Sequence, residues 1–352
     1  MVRLRPLALG NLGNPKGSGV KRFMNEPQDV VRDYLNGLVA AHPDLLRLDA
    51  DQRVLLRAHA GARPKVALIA GGGSGCEPLH TGFVGPGMLD AACPGAIFTS
   101  PVPAQIIAAT RAVDTGAGLI HIVKNFTGEV MNFGMAQEIM AFDGISVETV
   151  LINDDVSIKD DDDSAGRRGL GATVLVEKIA GAAAERGDDL TAVAAVARRV
   201  AARARTFSVG LTSCTPPERG RPVYVMAEDE MDMGIGISGS PGRDRVKLAP
   251  AREIAAVLLA EVLADLRPAP GARVLVLLSG LGGTPDAELY LLYGAVAAGL
   301  RAAGLRPERV LVGNLVTSLD QQGAALTVLE LDDEMLALWD APVRTAALRL
   351  GM

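Results

Sequence analysis

Aromatic side chains are scarce here: Phe, Trp and Tyr make up 3% of the 352 residues, with one Trp. Any core must therefore be filled by Ala, Val, Leu and Ile. Cysteine is as rare. Cys76, Cys93 and Cys214 form no metal-type pair, and an odd count suits a reducing cytoplasm, the expected compartment. The chain has no Lys/Arg block and a net charge of −6, which argues against nucleic acid or an anionic membrane as partner. A run of about 20 apolar residues, which a membrane-spanning helix needs, is missing, and so is a signal-peptide layout. The spacing of the first Gly-rich stretch is not GxGxxG, and no Gly-Lys-Ser/Thr follows it. A dinucleotide fingerprint and a P-loop both fit poorly.

What is present is a chain of ordinary globular composition, 49% apolar and 22% charged, long enough for two domains with cores of their own. The stretch that organises it is 65–101. Val66–Ala70 reads as a buried strand with no polar face. Gly71, Gly72, Gly73, Ser74 and Gly75 then read as a turn at its carboxyl end. Backbone N–H groups there can close around a small polar ligand, at the edge where open α/β sheets place their ligands.

Along the chain, 1–24 reads as an arm, and a helix starts behind an Asn25 N-cap with Val30, Tyr34, Leu35 and Leu38 as its apolar stripe. A hairpin is expected at 46–60. Helices at Pro103–Val113 and Val130–Phe142 alternate with strands at Gly118–Lys124 and Ser146–Asn153, which predicts an α/β fold with a mostly parallel or mixed sheet and helices on both faces. Residues 154–165 carry an acidic cluster without the ligand spacing of a calcium loop, so a solvated loop is expected. Two Ala-rich helices follow, Gly169–Arg186 and Thr191–Ala204. The second half reads as strands at Phe207–Thr212, Pro222–Ala227, 273–279, Arg309–Val316 and Ala325–Leu331, with helices at 250–266, Asp286–Ala303 and Asp333–Trp339. Between them lie the Gly-rich segments 228–247 and GLGGTP (280–285), the latter as consistent with a structural turn as with a ligand contact.

Several polar residues stand out. Lys124 and Glu129 follow a strand end, a good position for function in such a sheet. Ser238 lies in MGIGISGSPG, whose alternating glycines suit close backbone approach. Cys76 is either a small buried residue or, if it opens a helix, a reactive thiol. His80 is either structural or functional, and His121, within an apolar strand, reads as core. Asp154 and Asp155 end a strand and could face a crevice; no metal is expected on them.

Six stretches carry a family resemblance over nearly the whole length. They are GGGSGCEPLHTGFVGPGMLDAACPGAIFTSP (71–101), KNFTGEVMNF (124–133), DDVSIKD…SAGRRGLGATVLVEKIAGAAAERG (154–187), MGIGISGSPG (233–242), GLGGTPDAELY (280–290) and LDDEMLALWDAP (331–342). The chain resembles the substrate-binding subunit of dihydroxyacetone kinase, the DhaK type. The resemblance implies two α/β domains, expected at about 1–204 with the tail 336–352 packing back on it, and at 205–335. It implies a cytoplasmic homodimer. The chain itself is expected to carry no cofactor; ADP or ATP with magnesium would sit on a separate DhaL-type subunit or domain. In the family a histidine captures a short ketose covalently as a hemiaminal.

At several positions in these motifs the sequence departs from the family. The hemiaminal histidine of the G-I-H-x-E-P-G motif is Ser238, and the motif glutamate is Ser240. The hydrogen-bonding histidine of G-x-G-H-E-P is Cys76. The aspartate base of N-Y-T-G-D is Glu129, one methylene longer. A serine hydroxyl without a base is a poor nucleophile, and a neutral thiol is a weak substitute for imidazole. Gly72, Gly73, Ser74, Glu77, His80 and Lys124 stand as in the family. By this resemblance Glu129 is the general base, Lys124 orients a substrate oxygen, His80 stands at the site, and backbone N–H groups of Gly72 to Gly75 hold substrate hydroxyls. The substituted pocket leaves three readings open: a kinase subunit for a different short sugar or polyol, a non-catalytic small-ligand sensor or co-activator, and an ordinary dihydroxyacetone kinase subunit.

Overall fold

A computed structural model describes residues 21–51, 53–59, 63–158 and 166–351. The arm expected at 1–24 and the acidic cluster of 154–165 therefore lie partly outside the described residues. In chain order the elements are α1 (Val30–Ala41), β1 (Leu46–Leu48), β2 (Leu55–Arg57), β3 (Ala67–Ser74), β4 (Ala91–Ile97), α2 (Pro103–Val113), β5 (Leu119–Lys124), α3 (Thr127–Phe142), β6 (Val147–Ile152), α4 (Ala172–Arg186) and α5 (Leu190–Arg203). They continue with β7 (Ala204–Gly210), β8 (Glu230–Met233), β9 (Asp244–Lys247), α6 (Ala251–Leu266), β10 (Arg273–Gly280), α7 (Asp286–Ala302), β11 (Arg306–Gly313), β12 (Gly323–Glu330), α8 (Asp333–Asp340), β13 (Val343–Arg344) and β14 (Arg349–Leu350).

The strands build two six-stranded sheets, in the orders β1-β2-β4-β3-β5-β6 and β11-β10-β12-β7-β8-β9. In the first, β4, β3, β5 and β6 run parallel and the β1–β2 hairpin adds an antiparallel edge. The second is mixed: β10 and β11 are parallel and the remaining pairs antiparallel. Side chains alternate between the faces of a strand, and the packing follows that period. Leu68, Ala70, Ile120 and Ile122 face one core together with α4 and α5, while Ala67, Ile69, Leu119 and Val123 face a second core with Ile106 and Phe133 of α2 and α3. In β10, Leu275 and Leu277 join the α4/α5 core, whereas Val274, Val276 and Leu278 pack on α6 and α7. The result is a stack of α2/α3, sheet, α4/α5, sheet and α6/α7. The central position of α4 explains its composition: every residue from Ala172 to Ala184 is buried, and short Ala side chains let both sheets approach.

The structure corrects several local expectations. Gly71–Gly73 do not form a turn; β3 runs on through them to Ser74, paired with β4. Asn25 does not cap α1, which follows a short 3₁₀ turn at Pro27–Asp29. Residues 222–227 are not a strand; β8 starts later, at Glu230. Strand β4 gave no signal because Pro94 and Gly95 interrupt its apolar run. Its proline is tolerated because β2 pairs only as far as Ala92, so the missing N–H faces no neighbour strand. Helix α3 begins three residues earlier than its apolar pattern suggested, which places Glu129 in its first turn. Among the described residues no helix is long and apolar enough to cross a membrane.

Candidate functional site

The cavity that gathers the polar residues lies where the carboxyl ends of β3 and β5 meet the ten-residue loop between β8 and β9. Gly73, Cys76, Phe98, Ser100, Lys124, Phe126, Glu129, Ile237 and Ser238 line about 60 Å³ of space. At roughly 10–15 Å³ per water-sized group, that admits about four to six such groups, the scale of a three- or four-carbon molecule. Each sheet supplies part of the wall. The loop from the second sheet reaches across, and the Cys76 thiol donates to the Ile237 carbonyl at 3.2 Å.

Lys124 is the last residue of β5 and Glu129 lies in the first turn of α3, five residues on, so a short loop folds one onto the other. The Lys124 ammonium donates to both Glu129 carboxylate oxygens, at 3.1 and 3.0 Å, and both residues are buried. Burial pushes the Glu129 carboxyl up from the usual range, and the Lys124 charge opposes that push. On its other side Lys124 Nζ lies 2.9 Å from His80 Nε2, and His80 Nδ1 lies 2.6 Å from Glu177 Oε1 in the middle of α4. Burial, reinforced by the Lys124 charge, holds His80 well below the ordinary histidine range. An ammonium cannot accept, so His80 Nε2 accepts and the ring proton sits on Nδ1, donating to Glu177. The glycine at 72 makes room for this arrangement. A Cβ there would run into Lys124 Nζ and come within 2.8 Å of Glu129 Oε1.

The other wall is neutral. Burial pushes the Cys76 thiol far above its ordinary value, and no helix begins at Cys76, so the thiolate-stabilising environment considered for it is missing. Ser238 is half-buried, and Ser240, at the motif glutamate position, is exposed. Gly239 takes φ +77° where its backbone passes Cys214 Sγ, which would stand 2.9 Å from an added Cβ.

The remaining candidates are placed as follows. The Ser74 hydroxyl donates to the Gly95 carbonyl at 2.7 Å and is not part of the lining. Gly75 N–H donates to the Glu77 carboxylate at 3.0 and 2.9 Å, so it is already engaged. His80 stands behind Lys124 and not on the cavity surface. His121 is fully buried, 3.0 Å from the Thr110 hydroxyl and edge-on to Phe133. Asp154 accepts from Leu170 and Ala172 N–H at the start of α4, and Asp155 is paired with Arg168. Both are engaged in the scaffold. Among the described residues no group of three or more His, Cys, Asp or Glu is arranged to hold a metal ion.

Sequence reasoning missed Glu177 and the residues that hold the 75–77 turn. The backbone of 317–319 bonds to Gly75 and Cys76, and the Thr317 hydroxyl donates to Glu77 O at 2.7 Å. Glu177 did leave a signal: a Glu-Lys pair inside an otherwise small, apolar helix with no polar face.

Residues 36–347 match the Dak1 domain. The chain is 42% identical to the dihydroxyacetone-binding subunit DhaK of the PEP-dependent dihydroxyacetone kinase of Escherichia coli, over 94% of this chain and 100% of that protein. Among solved structures, the dihydroxyacetone kinase operon co-activator DhaQ superposes with a TM-score of 0.85 at 32% identity, covering 92% of this chain and 98% of that one. The dihydroxyacetone kinase of C. freundii in complex with AMP-PNP and Mg2+ superposes equally well, with a TM-score of 0.85 at 33% identity, covering 94% of this chain and 61% of that one.

Proposed function

The chain belongs to the Dak1 family, as a DhaK-type subunit, and from that premise we propose that it binds a short sugar or polyol for phosphoryl transfer from a separate DhaL-type subunit. The observation that carries this reading is the buried Lys124–Glu129 pair facing a cavity of about 60 Å³. In the proposed reaction Glu129 takes the proton from the attacking hydroxyl. A carboxylate raised by burial is a stronger base than one in water. Lys124, which contacts His80, Glu129 and, at 3.5 Å, the Gly71 carbonyl, also lines the cavity and would turn an N–H toward a substrate oxygen. Such a cavity takes a triose or tetrose but not a nucleotide. The donor, ADP or ATP with magnesium, would therefore approach from outside on the partner.

Substrate retention would be non-covalent. Ser238 has no base among the residues lining the cavity with it other than Glu129, which is already bound to Lys124, and the Cys76 thiol is held neutral. The substrate would then differ from a ketose held by a hemiaminal. A second reading, a non-catalytic sensor or co-activator, is favoured by the neutral wall at Cys76 and Ser238 together with the overall likeness to DhaQ.

The test combines intact-mass spectrometry and thermal shift with dihydroxyacetone, erythrulose and glycerol, followed by phosphorylation assays with a DhaL-type subunit and its nucleotide. The proposal expects stabilisation by one of these compounds without mass gain, and phosphorylation of it. A mass gain with dihydroxyacetone would sink the non-covalent account. Ligand binding without phosphorylation by any donor subunit would favour the sensor. As a positive control, Ser238→His should gain the mass of added dihydroxyacetone.

A further inference from the structure

Four ionisable groups are strung through the protein from the centre of α4 to the cavity: Glu177, His80, Lys124 and Glu129. Successive contacts are 2.6, 2.9 and 3.0 Å. All four are at most 5% exposed. The hydrogen-bond polarity of the chain is fixed from its Lys124 end. The ammonium has only donors, so His80 Nε2 must accept, and Nδ1 must donate to Glu177 Oε1. With Nε2 protonated instead, two donors would face each other at 2.9 Å in a buried site, and Lys124 would lose the shortest of its contacts, keeping Glu129 at 3.0 Å and the Gly71 carbonyl at 3.5 Å.

We infer that Glu177 is a positioning residue for the site: through the His80 ring it fixes the direction of the Lys124 ammonium group. Glu177 touches no part of the cavity lining itself. Its second oxygen, Oε2, has no hydrogen-bond partner among the described residues, and neither does the hydroxyl of Thr173, one turn earlier on α4. A fully buried carboxyl group with one oxygen unpartnered among the described residues, on a helix otherwise packed with small apolar residues, is costly to keep, and its one side-chain bond is to the His80 ring. The bond orients a ring, and the ring orients Lys124, the one cation lining the cavity among the described residues. The same logic governs histidine ligands in metal sites, where the partner of the distal ring nitrogen sets the tautomer.

This inference rests on the cavity being the binding site, but its first test does not. The chain has four histidines, so ¹⁵N imidazole NMR can be resolved residue by residue, with His80→Gln as the assignment control. The wild type should show His80 with its proton on Nδ1 and Nε2 accepting. Glu177→Gln keeps an oxygen acceptor for Nδ1–H and should keep that tautomer. Glu177→Leu removes the acceptor and should shift the ring toward the Nε2–H form. The second arm measures dihydroxyacetone binding by calorimetry. Glu177→Gln should stay near wild type and Glu177→Leu should weaken by about tenfold or more. A proton on Nε2 in the wild type overturns the inference, and this needs no variant to fold. So does a folded Glu177→Leu protein that keeps the Nδ1–H tautomer or binds as the wild type does. If the wild type ignores dihydroxyacetone, the choice of ligand fails, while the tautomer measurement still decides the role of Glu177.

Discussion

The two walls of the cavity differ in kind. One is a train of buried ionisable groups running inward from Glu129 through Lys124 and His80 to Glu177. The other, made by Cys76, Ile237 and Ser238, carries no charge and is bridged by a sulfur–carbonyl contact between Cys76 and Ile237. On the reading proposed above, holding a substrate by a bond to carbon and removing a proton from its hydroxyl would be separable tasks assigned to different walls. Lys124 and Glu129 are the groups proposed for the second, and Cys76 and Ser238 stand where the family resemblance places histidines for the first.

The contrast breaks most completely at Lys124. Lys124→Met strands Glu129 as an unpaired buried carboxylate and should cost about 3–5 kcal/mol in urea unfolding. Lys124→Met with Glu129→Leu should recover a large part of that. A single variant that loses less than about 1 kcal/mol would mean the pair is not ionised in the fold. Next in size is Gly72→Ala. Its methyl must displace Lys124 or Glu129, at about 1–3 kcal/mol by thermal melt, with loss of ligand-induced stabilisation.

Third, His121 provides a control for His80, since both are buried neutral imidazoles but only one serves the charged wall. Burial lowers His121 from 6.5 to about 3. Below pH 6.5 the unfolded chain therefore binds a proton that the native chain refuses. The stability this group contributes is full above 6.5 and is lost as pH falls toward 3, by up to about 1.4 kcal/mol per pH unit. His80 acts in the same sense, and Glu129 and Glu177, both raised by burial, act in the opposite one. The difference between wild type and His121→Gln isolates the His121 share. Between pH 6.5 and about 5.5, wild type should lose about 1 kcal/mol more than the variant in urea melts. Equal losses would show that His121 takes up a proton in the native state. The smallest effect belongs to Ser240→Glu, which restores the family residue at an exposed position. It should shift stability by no more than about 0.5 kcal/mol and leave dihydroxyacetone binding unchanged.

Much of this was legible in the sequence because helices announce themselves by period. Helix α2 begins and ends at the expected residues, Pro103 and Val113, since its proline starts it and its stripe is regular. Lys124 and Glu129 stood out at a strand end, Cys76 and Ser238 were marked by the family resemblance, and all four meet in one cavity although Cys76 and Ser238 are 162 positions apart. What stayed hidden depends on tertiary context. Consecutive glycines in β3 looked like a turn because local pattern cannot show that β4 lies alongside to accept them. Ser74 looked like a ligand group because its actual partner, the Gly95 carbonyl, is set by that same pairing. Glu177 was invisible as a site residue because the side-chain partner it has among the described residues, His80, is nearly a hundred positions away.

The reach of the β8–β9 loop across to Cys76 has a consequence for the order in which the protein comes into being. During synthesis the first sheet is complete at Ile152, which leaves the ribosome 86 residues before Ser238 and 165 before Thr317 closes on the 75–77 turn. At about 5–20 residues per second, the nascent chain spends on the order of ten seconds with a half-built pocket open to water. A ligand that needs both the Lys124–Glu129 wall and the Ile237–Ser238 wall would therefore bind only the finished chain, and the stability it lent would fall on the joint between the two sheets.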